Sequence, residues 1–441
     1  MWRTQGHNQV VGWVRVATGL LLPIFSVQLG LIPVWAADGL SVLSLPQVLD
    51  EARRANPDLL AARKRWEAAQ ARVPLSKGLP APRIGIEFEE IPSGTVKLNQ
   101  ATLMYQLIQA LPFPGKLSLR HKVAVKEAQV AAMQFKQAEW DLLTEVKSTY
   151  YDLFLLDRER DIQQQQVAWL RQVTSAAESR YASNTGGQAE LLAAQAALLE
   201  ATNALEVLGH RREAMAAHLN HLLSRPVHEP IGSPGPIALA PLRFSPDELL
   251  VAAQEYQPEL LAFKFSADRA EAAWRLAKRE LLPDLETMME LRDPAMGPIG
   301  PWDLTLALVL PFWFWTKARY GVRGALYDKE SAQAAYHAMQ NAIARRVHEH
   351  WHEAMAAFRT ATLSEEGLIP LGHQAVASAL AGYQGGRESF MSVLEALRSL
   401  SERQRAYYQA LVTFEQHVAM LEQAVGVPLR PELDEPSGRT S

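Results

Sequence analysis

Cysteine is absent from this chain. No disulfide can contribute to its stability, and no thiol stands beside the N-terminal leader to accept a lipid anchor. A basic excess is also missing: 44 Lys and Arg face 48 Asp and Glu, a formal net charge of -4. Nucleic acid is therefore not an expected partner. Beyond residue 40 no uninterrupted apolar run reaches the roughly 18 residues that a membrane-spanning helix needs. If the mature chain crosses a membrane, it is expected to do so with strands.

An export signal opens the chain. Arg3 and Arg15 precede the apolar stretch Val16 to Val34, and Val34-Trp35-Ala36-Ala37 offers small residues for cleavage after Ala36. Residues 1–36 are read as a signal peptide.

Self-similarity organises the rest. Asn56-Pro57-Asp58-Leu59-Leu60-Ala61 recurs as Gln257-Pro258-Glu259-Leu260-Leu261-Ala262, an offset of 201 positions. Leu111-Pro112-Phe113 matches Leu310-Pro311-Phe312, and Tyr181 with Gly186-Gly187 matches Tyr383 with Gly385-Gly386. The expected organisation is a first repeat (37–225), a Pro/Gly-rich linker (226–244), a second repeat (245–427) and a disordered tail (428–441).

Each repeat reads as two short helices, two strands and a long helical hairpin. Strands are expected at about 83–91, 101–111, 284–292 and 302–312, from apolar residues alternating with mixed ones. Ile84, Ile86 and Phe88 form an oily face opposite Glu87 and Glu89, while Trp302, Leu304, Leu306 and Leu308 lie opposite Asp303. Glu87, Glu89 and Asp303 are thus candidates to line a lumen. Phe312-Trp313-Phe314-Trp315 suits an aromatic girdle at a membrane boundary.

From Lys116 to Tyr181 there is neither proline nor glycine, and Phe135, Leu142, Val146, Leu153 and Leu156 recur as a coiled-coil-like stripe. A helix of that span would be about 100 Å long. A second is expected from about Lys317 to Tyr383, where five glycines and Pro370 could kink it. Antiparallel partners should run over 188–223 and 389–424. Four strands cannot close a barrel, since about eight is the practical minimum. A symmetric trimer would bring twelve, enough for a barrel with an open lumen.

The run Gln109-Ala110-Leu111-Pro112-Phe113-Pro114-Gly115-Lys116, the duplicated plan and the Tyr/Gly-Gly helix ends resemble the TolC-like outer membrane efflux proteins. Leu-Pro-Phe-Pro-Gly-Lys looks like their heavy-metal branch. The resemblance implies an α+β membrane protein: a homotrimer whose twelve-stranded β-barrel, set in outer membrane lipid, continues into a twelve-helix α-barrel tunnel in the periplasm. It implies a periplasmic adaptor (membrane fusion protein) and a proton-driven inner membrane pump of the RND class as partners, no cofactor and no enzymatic activity. Heavy-metal cations are the implied cargo, with organic compounds the alternative for a duct of the same fold. The resemblance also places a periplasmic gate at Glu190, Tyr383, Arg387, Glu388, Ser392 and Glu395, with serine at 392 replacing an expected acid and Arg387 as a possible partner. Many members carry a lipidated N-terminal cysteine, which this sequence lacks.

One motif points elsewhere. His348-Glu349-His350-Trp351-His352 matches H-E-x-x-H, the zinc-protease pattern. It lies midway along the second long helix, with His348 and His352 flanking a packing stripe of Ile343, Val347, Trp351, Ala354 and Phe358, and no third ligand stands out. A polar helix flank, or a transient metal contact through His348 and His352, fits better than a protease. A periplasmic adaptor also fails, since it would show one hairpin and not a full-length duplication.

Overall fold

The computed structural model describes residues 42–89, 102–292, 302–310 and 319–430. The expected signal peptide, the stretches 90–101 and 293–301 and the Phe312 to Trp315 cluster lie outside these residues.

Each repeat opens with two short helices joined at a proline. In the first, α1 (Leu45–Ala55) and α2 (Pro57–Leu75) meet at Asn56, whose side chain accepts from the N–H groups of Asp58 and Leu59 at 2.9 and 3.1 Å. That is the N-cap geometry expected of Asn, and Pro57 fits the first helical position, where no N–H is required. The second repeat repeats the device with α5 (Pro246–Tyr256) and α6 (Pro258–Arg279), with Gln257 accepting from Leu260 N–H at 2.5 Å. α5 has its own capping box, Ser245 with Glu248.

The strands are β1 (Arg83–Glu89), β2 (Thr102–Leu111), β3 (Asp284–Arg292) and β4 (Trp302–Val309), in one antiparallel sheet of order β1-β2-β3-β4. The β2–β3 pairing, Leu107 opposite Met289, fuses the two repeats into a single sheet.

Below the sheet, α3 (Lys116–Ala182) runs unbroken for 67 residues, about 100 Å, and returns as α4 (Gln188–Leu222). The second hairpin differs. It has α7 (Arg319–Leu363), a π-helical turn (Ser364–Leu368), α8 (Ile369–Gln384) and the returning α9 (Phe390–Val425). Pro370 explains the π turn: its ring would collide with the carbonyl four residues back, and widening the helix by one residue relieves the clash. The break in the α-helical pattern therefore falls beside Pro370, while Gly321 and Gly324 sit inside continuous helix.

α2 and α6 lie along α3, α6 also lies along α7, and α3 packs on α9. The stripe along α3 is real: Leu142, Val146 and Leu153 are buried with Leu49, Leu219 and Ile231. On α7, Ile343 and Val347 meet Leu249, Leu421 and Val425. The linker is a strap and not a free tether, since Ile231 is buried and Ile237 and Leu239 pack against Tyr150 and Tyr151.

Two expectations need correction. The tail does not begin at Pro428 as a loose end: Leu429 packs in the α5/α7/α9 core, and Arg430 pairs with the buried Glu415 at 2.7 Å. Burying Glu415 requires that cation, which holds the chain in place through residue 430. In addition, α4 has an 18-residue window apolar enough to cross a membrane by composition. Its alanines instead build a close hairpin, with Ala194, Ala197 and Ala201 buried in the core shared with α3.

Candidate functional site

The sheet register sorts every strand residue onto one of two faces. Ile84, Ile86, Tyr105, Leu107, Met289, Leu291 and the β4 series Trp302, Leu304, Leu306 and Leu308 share one face, and all are exposed, from 45% for Leu107 to 81% for Ile84. Such a patch across four strands is far beyond what a water-soluble surface carries. The opposite face is polar and cross-linked. Gln106 donates to Glu87 and, at 3.0 Å, to Glu290, while Arg292 pairs with Asp303 at 3.2 Å and Arg83 with Glu286 at 3.1 Å. Glu87, Glu89 and Asp303 lie on this polar face. Arg292, which the reading of the sequence did not single out, balances Asp303.

Where sheet meets helix, the Leu-Pro-Phe-Pro-Gly-Lys run acquires a physical meaning. Gly115 takes φ 92°, a left-handed conformation, and a Cβ there would strike Arg279, whose guanidinium donates to Pro114 O at 2.7 Å. Lys116, buried, donates to Asp284 at 2.7 Å and to Leu282 O at 2.8 Å, and Phe113 N–H donates to the same Asp284 oxygen. The motif locks β2 and α3 of one repeat to β3 of the other.

At the far end of the hairpins, the structure unites Glu190 and Tyr383 across the two repeats. Tyr383 is 2% exposed, and its ring receives the Arg180 guanidinium at 5.0 Å. Arg180 also donates to Tyr383 O at 3.3 Å. Burial, reinforced by the Glu190 carboxylate beside it, pushes the Tyr383 hydroxyl up to about 12. Arg180 was missed from sequence because its counterpart in the second repeat is Gly382, so the duplication does not mark it. Gly382 is itself constrained: a Cβ would meet Glu388 Cγ at 2.3 Å.

The other expected gate residues are not drawn in. Arg387, Glu388 and Glu395 are exposed, and among the described residues no ion pair joins them. Ser392 belongs to the start of α9, where its N–H donates to Ser389 Oγ at 3.2 Å and the two hydroxyls lie 3.1 Å apart. Serine at this position thus serves the helix cap.

The histidines also divide. His348 and His352 are exposed, stacked at 6.4 Å between ring centroids, and Glu349 is engaged by Arg345 one turn away. Among the described residues, no three His, Cys, Asp or Glu side chains converge as a metal site. The histidine between them turns inward instead: His350 Nδ1 lies 3.3 Å from His417 Nδ1 on α9. Burial lowers both rings' pKa below the usual histidine range.

A sheet with an exposed oily face, continuous with helical hairpins whose long arm is about 100 Å, is suited to a membrane. A family profile, "Outer membrane efflux protein", matches residues 48–224 and 249–427, one match per repeat. The chain belongs to the outer membrane efflux protein family and is an efflux channel, not an enzyme. It is 21% identical over 419 residues to the cobalt-zinc-cadmium resistance protein CzcC of Cupriavidus metallidurans, covering 91% of this chain and 97% of that protein. Its fold is that of the outer membrane protein VceC from Vibrio cholerae, with a TM-score of 0.75, 16% identity, and 87% of this chain and 96% of that one covered. CusC, a protein that forms a transmembrane channel, has the same TM-score at 14% identity, covering 88% and 93%.

Proposed function

We propose that three copies of the chain close their four-stranded sheets into a twelve-stranded outer membrane barrel, and their hairpins into a twelve-helix tunnel reaching into the periplasm. The observation that carries this reading is the sheet: one exposed oily face, one predominantly polar face and, among the described residues, two unpaired edges at β1 and β4. An oily face of this extent is stable only against lipid or another apolar surface, and in lipid every strand edge must find a partner. A trimer supplies both, with lipid outside and Glu87, Glu89 and Asp303 facing the lumen. The cysteine-free chain allows a direct test. Single cysteines placed on the β1 and β4 edges should cross-link under oxidation into a trimer in outer membrane fractions; dimers or uncross-linked monomers would refute the assembly.

The conduit serves as the exit duct of a tripartite system, with a periplasmic adaptor and a proton-driven inner membrane pump. Heavy-metal cations are its cargo, a reading supported by the likeness to the cobalt-zinc-cadmium resistance protein and by the Leu-Pro-Phe-Pro-Gly-Lys junction. His348 and His352, on an exposed flank of α7, would meet such cations only in passing. Arg180, Glu190 and Tyr383 close the periplasmic end, with Arg387, Glu388, Ser392 and Glu395 around its rim. Growth of a deletion strain on zinc, cobalt, cadmium, copper and silver, beside dyes and antibiotics, tests the cargo. Sensitivity to metals that the intact gene restores supports the reading; sensitivity to organic compounds alone transfers the duct to that class.

A further inference from the structure

We propose that His350 and His417 form a binding site for a divalent transition-metal cation of the zinc class, one that staples α7 to α9. The two side chains come from facing helices 67 positions apart and present the same ring atom to each other, Nδ1 to Nδ1, at 3.3 Å. It matches the spacing of two imidazole nitrogens that share a tetrahedral ion: with each N about 2.0–2.1 Å from zinc, the nitrogens stand about 3.3–3.4 Å apart. The distance also allows one N–H···N hydrogen bond between neutral rings, with the proton on one Nδ1.

Arg345 and Arg346, whose charges reach His350, are themselves paired with Glu349 and Glu259. Both rings are half-buried, so their positions are set by the packing of Val347 and Ala354 on one helix and Phe414 and Val418 on the other, all buried. Glu349 and Glu353, both exposed on the same helix, add negative charge that reaches His417. Two imidazoles with water in the remaining positions make an exchangeable site and not a closed structural one.

This site is distinct from the H-E-x-x-H reading, which would pair His348 with His352 on one exposed helix face. It is also independent of what the channel exports, since the pair would hold zinc whether or not zinc is the cargo.

The test uses full-length protein purified in detergent, titrated with zinc alone by calorimetry and with cobalt(II) by visible absorption. Wild type should take up one ion per chain, with the intense d–d bands of tetrahedral cobalt(II). The H350Q/H417Q variant should bind zinc at least about a hundredfold more weakly, because losing ligands costs more than losing their outer partners. Zinc should raise the unfolding temperature of wild type and not of the variant. H210Q/H221Q, at two exposed positions of α4, serves as the control and should bind like wild type. No uptake by wild type, binding unchanged in H350Q/H417Q, or binding lost in H210Q/H221Q would each overturn the proposal. Should H350Q/H417Q fail to assemble, X-ray absorption of zinc-loaded wild type decides: two nitrogen donors near about 2.0 Å are required, and an all-oxygen shell overturns it. Zinc tolerance of the host tests cargo separately.

Discussion

Between Lys116 and Ala182 the first repeat is one helix, whereas the second covers the matching stretch with α7, a π turn and α8. The helix ends differ in the same sense: Tyr181 is 45% exposed and Tyr383 is 2% exposed. Descended from one plan, the two halves have divided the work. The first is a continuous strut whose middle is locked by a buried ion pair, Lys147 with Glu422 at 2.7 Å. The second carries a π turn and a buried tyrosine. The π turn is braced by Arg403 donating to Leu368 O at 3.2 Å and by Gly372, where a Cβ would meet Leu400 at 2.9 Å.

Matched substitutions in the two repeats sharpen this division. Lys147 and His348 occupy equivalent positions, yet one is buried and the other exposed. Lys147→Met should cost about 3–5 kcal/mol, because it takes the paired cation away from the buried Glu422, which also accepts from Leu429 N–H at 2.9 Å. His348→Met should stay within about 0.5 kcal/mol. Denaturant unfolding in detergent measures both, and equal costs would erase the contrast.

Next in size is the core. Leu153 is fully buried and its counterpart Ala354 is equally buried with a smaller side chain. Leu153→Ala should cost about 2–5 kcal/mol through the cavity it leaves. Ala354→Leu should cost about 1–3 kcal/mol through overpacking against Phe414. Tolerance of the second change would mean that the second hairpin is more loosely packed than the first.

The junction between repeats comes third. Lys116→Met removes two hydrogen bonds from a charged donor, one to Asp284, and should lower stability by about 1.5–3 kcal/mol. Loosening should appear first as faster hydrogen exchange in β2 and β3, whose pairing this lysine anchors. The smallest effects belong to the caps. Asn56→Ala should cost about 1 kcal/mol. Gln257→Ala should lie close to it, since Gln257 also bonds to Gln137 at 3.2 Å. A markedly lower cost for Gln257 would show that the longer side chain caps poorly.

Much of the fold is legible in the residues. Alternation at period two assigned the faces of β1 and β4, and the apolar stripe through Leu142, Val146 and Leu153 foretold which side of α3 is buried. Pro370 was visible as a breaker, though not the form of the break. The candidate site was less legible. Glu190 and Tyr383 were found through the family resemblance, whereas Arg180 was hidden because only one repeat carries it. His350 was passed over because a motif one turn long drew attention to its neighbours on the outer flank.

The sequence by itself determined the duplication, the strand faces, the lengths of the helices and the points where proline or paired glycines end them. These depend on contacts within a few residues, so local periodicity and backbone restriction are enough to specify them. Only the tertiary structure decided that β2 pairs with β3 across the repeats, that Tyr383 is buried while Tyr181 is not, and that His350 faces His417. Each of these joins side chains far apart along the chain, and which partner lies opposite follows from how whole helices pack and slide into register, a geometry that no short stretch of residues encodes.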